Sequence, residues 1–271
     1  MPYYITIDSK DRIYSTDTSS NFSVRLATDF FVNTCKFKNI IIPFSYYPYD
    51  ANDTTTCTVV LNEGAADINA ILPFPTTSWA SANVANALAT ALTTYGTQTY
   101  TAVYNSITGK FTISAAANFS LKWGSSSAGL NFIFGFNNST VSGANSYVSP
   151  NVMQPFGPPY LWVVSNALTS QTIDKCTSFA GSAQLGNSPD NIIIGSKSIF
   201  MIVPVNVAPL GVIEYADGSL TQREVIYSGD ARRSDQTLRT IDIQIINPWT
   251  QKTINLNGVN MLLVVEVVGK A

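Results

Sequence analysis

The sequence predicts an all-β sandwich that carries a helix and a hairpin as an insertion. Short β-branched or aromatic runs bounded by turn residues recur through residues 1–61 and 151–271. Residues 62–150 instead contain one stretch with helical periodicity, followed by two alternating strands. A length of 271 residues suits one sandwich with an insertion.

The clearest strand is Leu238–Ile246, within "TLRTIDIQIINP". Asp242 and Gln244 lie on one side and Ile241, Ile243 and Ile245 on the other. Side chains alternate across a strand, so we expect the isoleucines to face the core and the polar residues to face water or a partner. The other predicted strands are Tyr3–Asp8, Asn21–Leu26, Phe37–Phe44, Thr56–Leu61, Tyr160–Ala167, Ser198–Asn206, Thr221–Ser228 and Val259–Val268.

The last strand differs from the others. Its segment "MLLVVEVV" is apolar on both faces, which is typical of a strand covered on both sides. Outside the insertion the chain has roughly eight main strands, and two antiparallel sheets packed face to face bury one face of each. The strand number and the long middle insertion favour a single jelly roll over an immunoglobulin-type sandwich.

The insertion begins with "TTSWASANVANALATALTTYG". Its helical face holds Val84, Leu88, Ala91, Leu92 and Tyr95. Thr77 or Ser78 can cap the start and Gly96 can end the helix. Two strands follow, joined by a turn around Thr108-Gly109. We therefore predict a jelly-roll body of residues 1–61 and 151–271 and a module of residues 62–150, which either folds separately or packs on the sandwich as a decorated loop.

The composition favours assembly. Charged residues make up 12% of the chain, against about 25% in an average soluble domain. Aromatic residues make up 11%, and mean hydropathy is +0.13. Interface cores are depleted in charge and enriched in aromatic residues, so the sequence indicates faces that other chains cover.

Several functions are disfavoured. The chain has no histidine, so it lacks the usual general base and the commonest ligand of zinc, copper or non-haem iron. A Ser-His-Asp or Cys-His site is impossible, no phosphate-binding loop is present, and we predict neither an enzyme nor a cofactor or metal. With 15 basic and 17 acidic residues, and Arg232-Arg233 as the nearest approach to a cluster, nucleic-acid binding is disfavoured.

Two kinds of acidic site are left open. Paired carboxylates could support glycoside hydrolysis, but the candidate pairs lie in predicted turns, which favours solvated loop acids. These pairs are Glu63/Asp67, Glu214/Asp217 and Asp230/Asp235. Asp50, Asn52 and Asp53 in "DANDTT" could bind calcium, but the loop lacks the glycine and distal glutamate of an EF-hand, so turn formation is favoured.

Cys35, Cys57 and Cys176 are odd in number and form no CxxC pair. We expect reduced cysteines in or near strands rather than a zinc or redox site. The start "MPYY" has no basic or apolar leader region, so we expect no secretion signal. No run reaches the about 18 apolar residues of a membrane helix, so no membrane span is predicted.

Three ordered motifs near the start carry a resemblance. The first is Ile7-Asp8-Ser9 with Arg12, and the second is "NFSVRL" from Asn21 to Leu26. The third runs from Ile40 to Pro43 and on to Tyr47. With "VYNSITGKFTIS" in the middle and "TIDIQIINPWTQKTINLNG" near the end, the chain resembles penton-type minor capsid proteins of virophages and Polinton-like double-stranded DNA viruses.

The resemblance implies a structural protein of the virion, made in the host cell. It implies a homopentamer at each icosahedral fivefold vertex that contacts trimers of a double-jelly-roll major capsid protein. Tyr46, Tyr47 and Tyr49 in "PFSYYPYD", together with Arg12, are the candidate interface residues. The alternative for the tyrosines, packing within their own sandwich, stays open.

Three other functions remain as alternatives. The first is a minor capsid protein away from the vertex, for example a trimer. The second is a jelly roll that binds a carbohydrate or host receptor through Trp79, Trp123 or Trp162 or through loop tyrosines. The third is a histidine-free glycoside hydrolase. A glycan or receptor contact could also accompany the vertex function through residues 62–150.

Overall fold

The structure is a computed structural model that describes residues 2–50, 53–73, 81–169, 199–216, 224–226 and 237–269. It divides the described chain into two compact units. The body contains the described residues up to Tyr46 and from Pro159 onward. The inserted unit is Tyr47–Pro158.

The elements are numbered in chain order. The strands are β1 (Pro2–Asp8), β2 (Asn21–Pro43), β3 (Thr58–Asn62), β4 (Asp67–Ile71), β5 (Thr101–Asn105), β6 (Lys110–Lys122), β7 (Thr140–Val148), β8 (Tyr160–Val164), β9 (Ile199–Pro204), β10 (Val212–Ala216), β11 (Glu224–Ile226), β12 (Thr237–Ile246) and β13 (Leu262–Gly269). The helices are α1 (Thr54–Cys57), α2 (Ser81–Tyr95), α3 (Leu130–Ile133) and α4 (Asn166–Thr169).

Strand β2 belongs to two sheets of the body. Its first half pairs with β12, and its second half pairs with β13 on one side and with β10 and β11 on the other. One sheet therefore has the order β1-β13-β2-β10, with β11 continuing β10 along β2, and the other has the order β2-β12-β8-β9. Each half of β2 serves as one strand of its own sheet, and β10 and β11 together occupy one strand position. Each sheet then has four antiparallel strands, and the eight strands form a jelly roll, as predicted.

The body core is mainly aliphatic. Ile241, Ile243 and Ile245 are fully buried, which confirms the predicted inward face of β12. Strand β13 was predicted to be covered on both faces. Within this chain that prediction was wrong, because only the face that holds Val265 and Val267 is buried, and the alternate residues are half-buried. These half-buried residues are Leu262, Val264, Glu266 and Val268.

Strand β2 also differs from the prediction. The sequence predicts separate strands at Asn21–Leu26 and Phe37–Phe44, whereas the structure has one strand of 23 residues. The chain passes from one sheet to the other without leaving the extended conformation, so no turn residues mark the change of partner. Of the predicted strand Thr221–Ser228, only Glu224–Ile226 lies among the described residues.

The inserted unit contains a five-stranded sheet with the order β4-β3-β6-β5, in which β7 also pairs with β6. The predicted helix is confirmed as α2, which buries Val84, Leu88, Ala91 and Leu92. Tyr95 was expected on the same face but is 44% exposed. The Gly96 N–H donates to the Leu92 carbonyl at the helix end. Thr77 and Ser78, the expected caps, lie outside the described residues.

The bounds of the insertion differ from the prediction. The sequence pattern assigns β3 to the body and begins the module at residue 62, but β3 pairs with β4 and β6 of the inserted unit. An alternating strand suits either sheet equally well, since alternation does not identify the pairing partner. Within the described part of the chain, no helix combines the length and apolar character needed to cross a membrane.

Candidate assembly surfaces

The aromatic-proline segment, "PFSYYPY" from Pro43 to Tyr49, begins inside the body core. The rings of Phe44 and Tyr46 stack with their centroids 4.5 Å apart and their planes at 22°. Both side chains are 1% exposed. Burial raises the pKa of the Tyr46 phenol well above its ordinary value. Tyr46 therefore acts as a core residue, and its prediction as an interface residue was wrong for this reason.

The segment continues into the inserted unit with the other two tyrosines. Tyr49 is 3% exposed, and its hydroxyl donates to the Pro73 carbonyl at 2.7 Å. Its hydroxyl is thus engaged in its own unit, and the interface prediction was wrong for Tyr49 as well. Tyr47 is 37% exposed, so its interface role stays a prediction.

Arg12 lies on the surface next to a short 3-10 helix, Ser9–Asp11. Its Nη1 donates to the Ser9 carbonyl at 2.9 Å, which links the Arg12 side chain to the first residue of this helix. Asp8 caps this helix by accepting from the Lys10 N–H at 2.9 Å. The guanidinium remains exposed, so its interface role also stays a prediction.

Strand β1 forms an edge of its sheet. All seven of its residues are in register with β13, and no described strand pairs with its other side. The Ser9 N–H donates to Met261 O, the next pair in this register. In an antiparallel pair the hydrogen-bonded positions alternate, so Ile7 and Ile5 bond to β13. The backbone N–H and C=O groups of Tyr4 and Thr6 consequently point away from β13, toward the open side.

Among the described strands, β10 forms the opposite edge of the same sheet. The Phe44 N–H donates to Gly211 O at 3.0 Å, one position beyond the Val212–Pro43 pair. By the same alternation Ile213 bonds to β2, and the backbone groups of Val212 and Glu214 point away from it. The body sheet therefore ends in two unlike edges, each of which has outward-facing backbone donors and acceptors.

The edges of the other body sheet are protected. On the first half of β2, the Ser23 N–H donates to Asp17 Oδ2 at 3.0 Å and its carbonyl accepts from the Ile13 N–H at 2.9 Å. Strand β9 ends in Pro204, which has no N–H to offer. Strand β1 has no lysine and no bulge, two of the devices that discourage pairing at an edge, and its one proline, Pro2, is its first residue. The sequence alone shows that β1 lacks lysine, but only the strand order identifies β1 as an edge.

The outer face of the β1-β13-β2-β10 sheet is rich in apolar side chains. Tyr4 is 64% exposed and Val212 is 55% exposed. Between these edge strands, half-buried Leu262 lies directly opposite half-buried Ile41. The face also holds one ion pair, in which Lys38 Nζ lies 2.9 Å from Glu266 Oε2.

The inserted unit has an apolar surface of its own. Val103, Thr112 and Val148 occupy adjacent positions across β5, β6 and β7. Val103 is 61% exposed and Val148 is 59% exposed. Ile107 in the turn between β5 and β6 is 93% exposed. Each unit thus presents large apolar side chains to solvent.

The acidic candidates serve other purposes. Glu63 accepts hydrogen bonds from the Tyr100 hydroxyl at 2.7 Å and from the Thr97 N–H at 2.8 Å. Asp67 pairs with Lys122 Nζ at 2.7 Å. These two carboxylates are engaged by different partners, which does not favour the acid pair of a glycoside hydrolase. Glu214 lies on β10, and its predicted partner Asp217 is outside the described residues, as are Asp230, Asp235 and Arg232-Arg233.

The loop considered for calcium caps a helix instead. Asp53 accepts from the Thr55 N–H at 3.0 Å at the start of α1. The Asp50 carbonyl accepts from the Thr56 hydroxyl at 3.1 Å. Asn52 lies outside the described residues. In the described ranges no three Asp, Glu or Cys side chains are grouped so that they could hold a metal ion.

The candidate tryptophans and cysteines are largely buried. Trp123 is 1% exposed and Trp162 is 8% exposed, so neither offers a stacking surface for a sugar, and the prediction of such a surface was wrong for both. Trp79 is outside the described residues. Cys35 and Cys57 are buried and form no disulfide, and burial raises the pKa of Cys35 to about 12. Cys176 also lies outside the described part of the chain.

Two solved structures are similar to this chain over nearly its whole length. The crystal structure of the mavirus penton protein has a TM-score of 0.48 and 9% sequence identity, and 100% of both chains is covered. The 3.5 Å cryo-EM structure of the Sputnik virophage has a TM-score of 0.46 and 13% identity, covering 99% of this chain and 98% of that chain. No family model matches the sequence. No curated protein matches it either.

Proposed function

We propose that the protein is a structural component of a viral capsid, a penton subunit of which five copies close a ring at each fivefold vertex. The observation that carries this proposal is the outer face of the β1-β13-β2-β10 sheet. There, Tyr4 and Val212 are exposed on the two edge strands, and half-buried Leu262 and Ile41 lie opposite each other on the strands between. Large apolar side chains exposed on one sheet face favour a face that another protein covers.

The low charge of the chain supports the same proposal. With only 12% charged residues, the chain gains little solubility from charge. Neighbouring subunits that cover its apolar surface remove the free-energy cost of exposing that surface to water. The sequence motifs add the resemblance to penton-type minor capsid proteins. In the assembled particle the neighbours are sister subunits and trimers of a double-jelly-roll major capsid protein, and the protein resides in the virion.

A ring of five requires a heterologous interface, in which one face of a subunit contacts a different face of the next. The body supports this arrangement because its sheet ends in two unlike edges, β1 and β10. The Tyr47 and Arg12 side chains are exposed and available to such an interface or to the capsid trimers. Receptor or glycan binding is not proposed, since Trp123 and Trp162 are buried.

The direct test is a cryo-EM map of particles assembled from the major capsid protein with and without this chain. We expect density for five jelly rolls at every vertex with the chain, and open vertices without it. Particles in which the chain is absent, or occupies positions away from the vertices, would contradict the proposal. Native mass spectrometry of the chain released from particles distinguishes a pentamer from the trimer of the non-vertex alternative.

A further inference from the structure

We infer that neighbouring copies join head to tail by backbone hydrogen bonding, with the open edge of β1 paired to the open edge of β10 in the next copy. The inference rests on the proposed function, because it specifies how the subunits of the ring contact each other. It also identifies the partner of the two sheet edges, a second copy of this chain.

The strand directions permit this pairing. Each neighbouring pair in β1-β13-β2-β10 is antiparallel, so β1 and β10 run in opposite directions. A second copy that is placed beside the first in the same orientation then sets its β10 antiparallel to the first copy's β1. The alternation of strand direction continues across the junction without inverting either subunit.

The side-chain faces also match. The outward backbone groups belong to Tyr4 and Thr6 on β1 and to Glu214 and its alternate neighbours on β10. All of these positions carry their side chains on the outer face of the sheet, since Ile5 and Ile213 occupy the buried face. Opposed residues of an antiparallel pair project to the same face, so this junction extends both the outer and the core-facing surface.

The main alternative for the β1 edge is a second β1 related by a twofold axis. That contact is isologous and ends at a dimer, whereas a β1-to-β10 contact uses one edge from each subunit and leaves another edge free for the next copy. Only the second arrangement continues around a ring. It also satisfies the unpaired backbone groups of both edges at once.

Cysteine cross-linking tests the pairing directly. Residues opposed in a hydrogen-bonded antiparallel pair have Cα atoms about 5.5 Å apart, which a disulfide can bridge. The two registers nearest the middle of the edges are covered by the double variants Thr6→Cys with Glu214→Cys and Tyr4→Cys with Glu214→Cys. In assembled particles under mild oxidation, we expect one double variant to give a ladder of covalent species up to five subunits on a non-reducing gel.

The single variants and the unchanged chain are the controls, because the chain already contains Cys35, Cys57 and Cys176. None of them should form the ladder. Dimers from Thr6→Cys alone would show β1-to-β1 pairing and overturn the inference. Intact pentamers that give no ladder with either double variant would also overturn it, while leaving the proposed function in place.

A second test removes an outward donor without touching the bonds to β13. Thr6→Pro deletes an N–H that faces the open edge, and proline is tolerated at such edge positions. Thr6→Val keeps the N–H and serves as the matched control. We expect Thr6→Pro to raise the subunit concentration needed for ring formation about tenfold or more, and Thr6→Val to leave it unchanged.

Thermal unfolding and native mass spectrometry of both variants complete this test. A folded Thr6→Pro chain that assembles as well as Thr6→Val would contradict the inference. Should Thr6→Pro fail to fold, the cysteine variants decide. Failure of the unchanged chain to enter particles at all would instead contradict the proposed function, so the two failures are distinguishable.

Discussion

The two units of the chain differ in how much aromatic packing their cores contain. The body relies on aliphatic residues such as Ile241, Ile243 and Val265 that repeat along paired strands. The inserted unit also buries aliphatic residues such as Leu88 and Ile113, and it adds a cluster of aromatic rings in which Trp123 stacks on Phe136 with ring centroids 4.9 Å apart.

This difference predicts that one aromatic deletion damages the inserted unit severely. Trp123→Ala should destabilise that unit by about 3–5 kcal/mol through lost burial and the cavity left behind. Hydrogen exchange followed by mass spectrometry should show lost protection in peptides from Tyr47–Pro158 while body peptides stay protected. Trp123→Phe keeps an aromatic ring in the core, and it breaks no hydrogen bond because Trp123 Nε1 has no partner among the described residues. It should therefore destabilise the unit by about 1.5 kcal/mol or less.

The matched change in the body is Ile243→Ala, which should cost about 2–5 kcal/mol and reduce protection of body peptides. Equal loss of protection in both units from either variant would contradict the separation of the two cores. It would mean that the units unfold as one cooperative structure.

The sequence predicted most of the body from alternation. The buried isoleucines of β12 were identified in this way, since period two in a strand fixes which residues share a face. Pairing partners were not predictable in the same way. Strand β3 was assigned to the wrong sheet because its pattern suits both, and β2 was divided into two strands because sheet membership changes inside it without a turn.

A second comparison of the units concerns glycines with positive φ. Gly135 in the inserted unit has φ +73, and an added Cβ would lie 2.4 Å from the Asn151 carbonyl oxygen. Gly258 in the body has φ +80, but nothing lies within 4 Å of its Cβ position. Gly135→Ala should therefore cost about 2–3 kcal/mol and Gly258→Ala about 1 kcal/mol in denaturant unfolding. Similar costs at both sites would show that backbone strain alone, rather than the close contact, sets the penalty.

A smaller effect is expected from the polar contact that joins the β3–β4 turn to the end of α2. Burial raises the pKa of Glu63, but hydrogen bonds from Tyr100 and Thr97 lower it more, so the net pKa lies below its ordinary value. Glu63→Gln should cost about 1 kcal/mol near neutral pH, because the contact is partly exposed to solvent.

The pH dependence of this effect has a definite sign. A carboxylate whose pKa is lowered by folding stabilises the protein above its ordinary pKa of 4.5, and this contribution is lost as the pH falls through the lowered value. The difference in unfolding free energy between the unchanged chain and Glu63→Gln should therefore shrink below about pH 4.5. A difference that is constant from pH 7 to pH 3 would exclude the ionised carboxylate as its cause.

The candidate interface was less predictable than the fold. Tyr46, Tyr47 and Tyr49 look alike in sequence, yet two are buried and one is exposed. The deciding factor is which strand or loop each tyrosine follows, and that depends on contacts distant in sequence. The sequence did not identify Thr6 or Glu214 as edge residues, because an edge is a property of strand order rather than of residue type.

The least perturbing experiment uses the two buried cysteines as reporters. Cys35 lies in the body and Cys57 in the inserted unit, and both are fully buried. Burial raises the pKa of each thiol, so thiolate is scarce at pH 8 and labelling requires opening of the surrounding structure. We expect slow labelling of both in the unchanged chain, read for each cysteine by peptide mass spectrometry.

In Trp123→Ala, Cys57 should label much faster while Cys35 does not, since only the inserted unit has lost its core. Parallel acceleration at both sites would contradict independent cores, and fast labelling of both in the unchanged chain would contradict their burial.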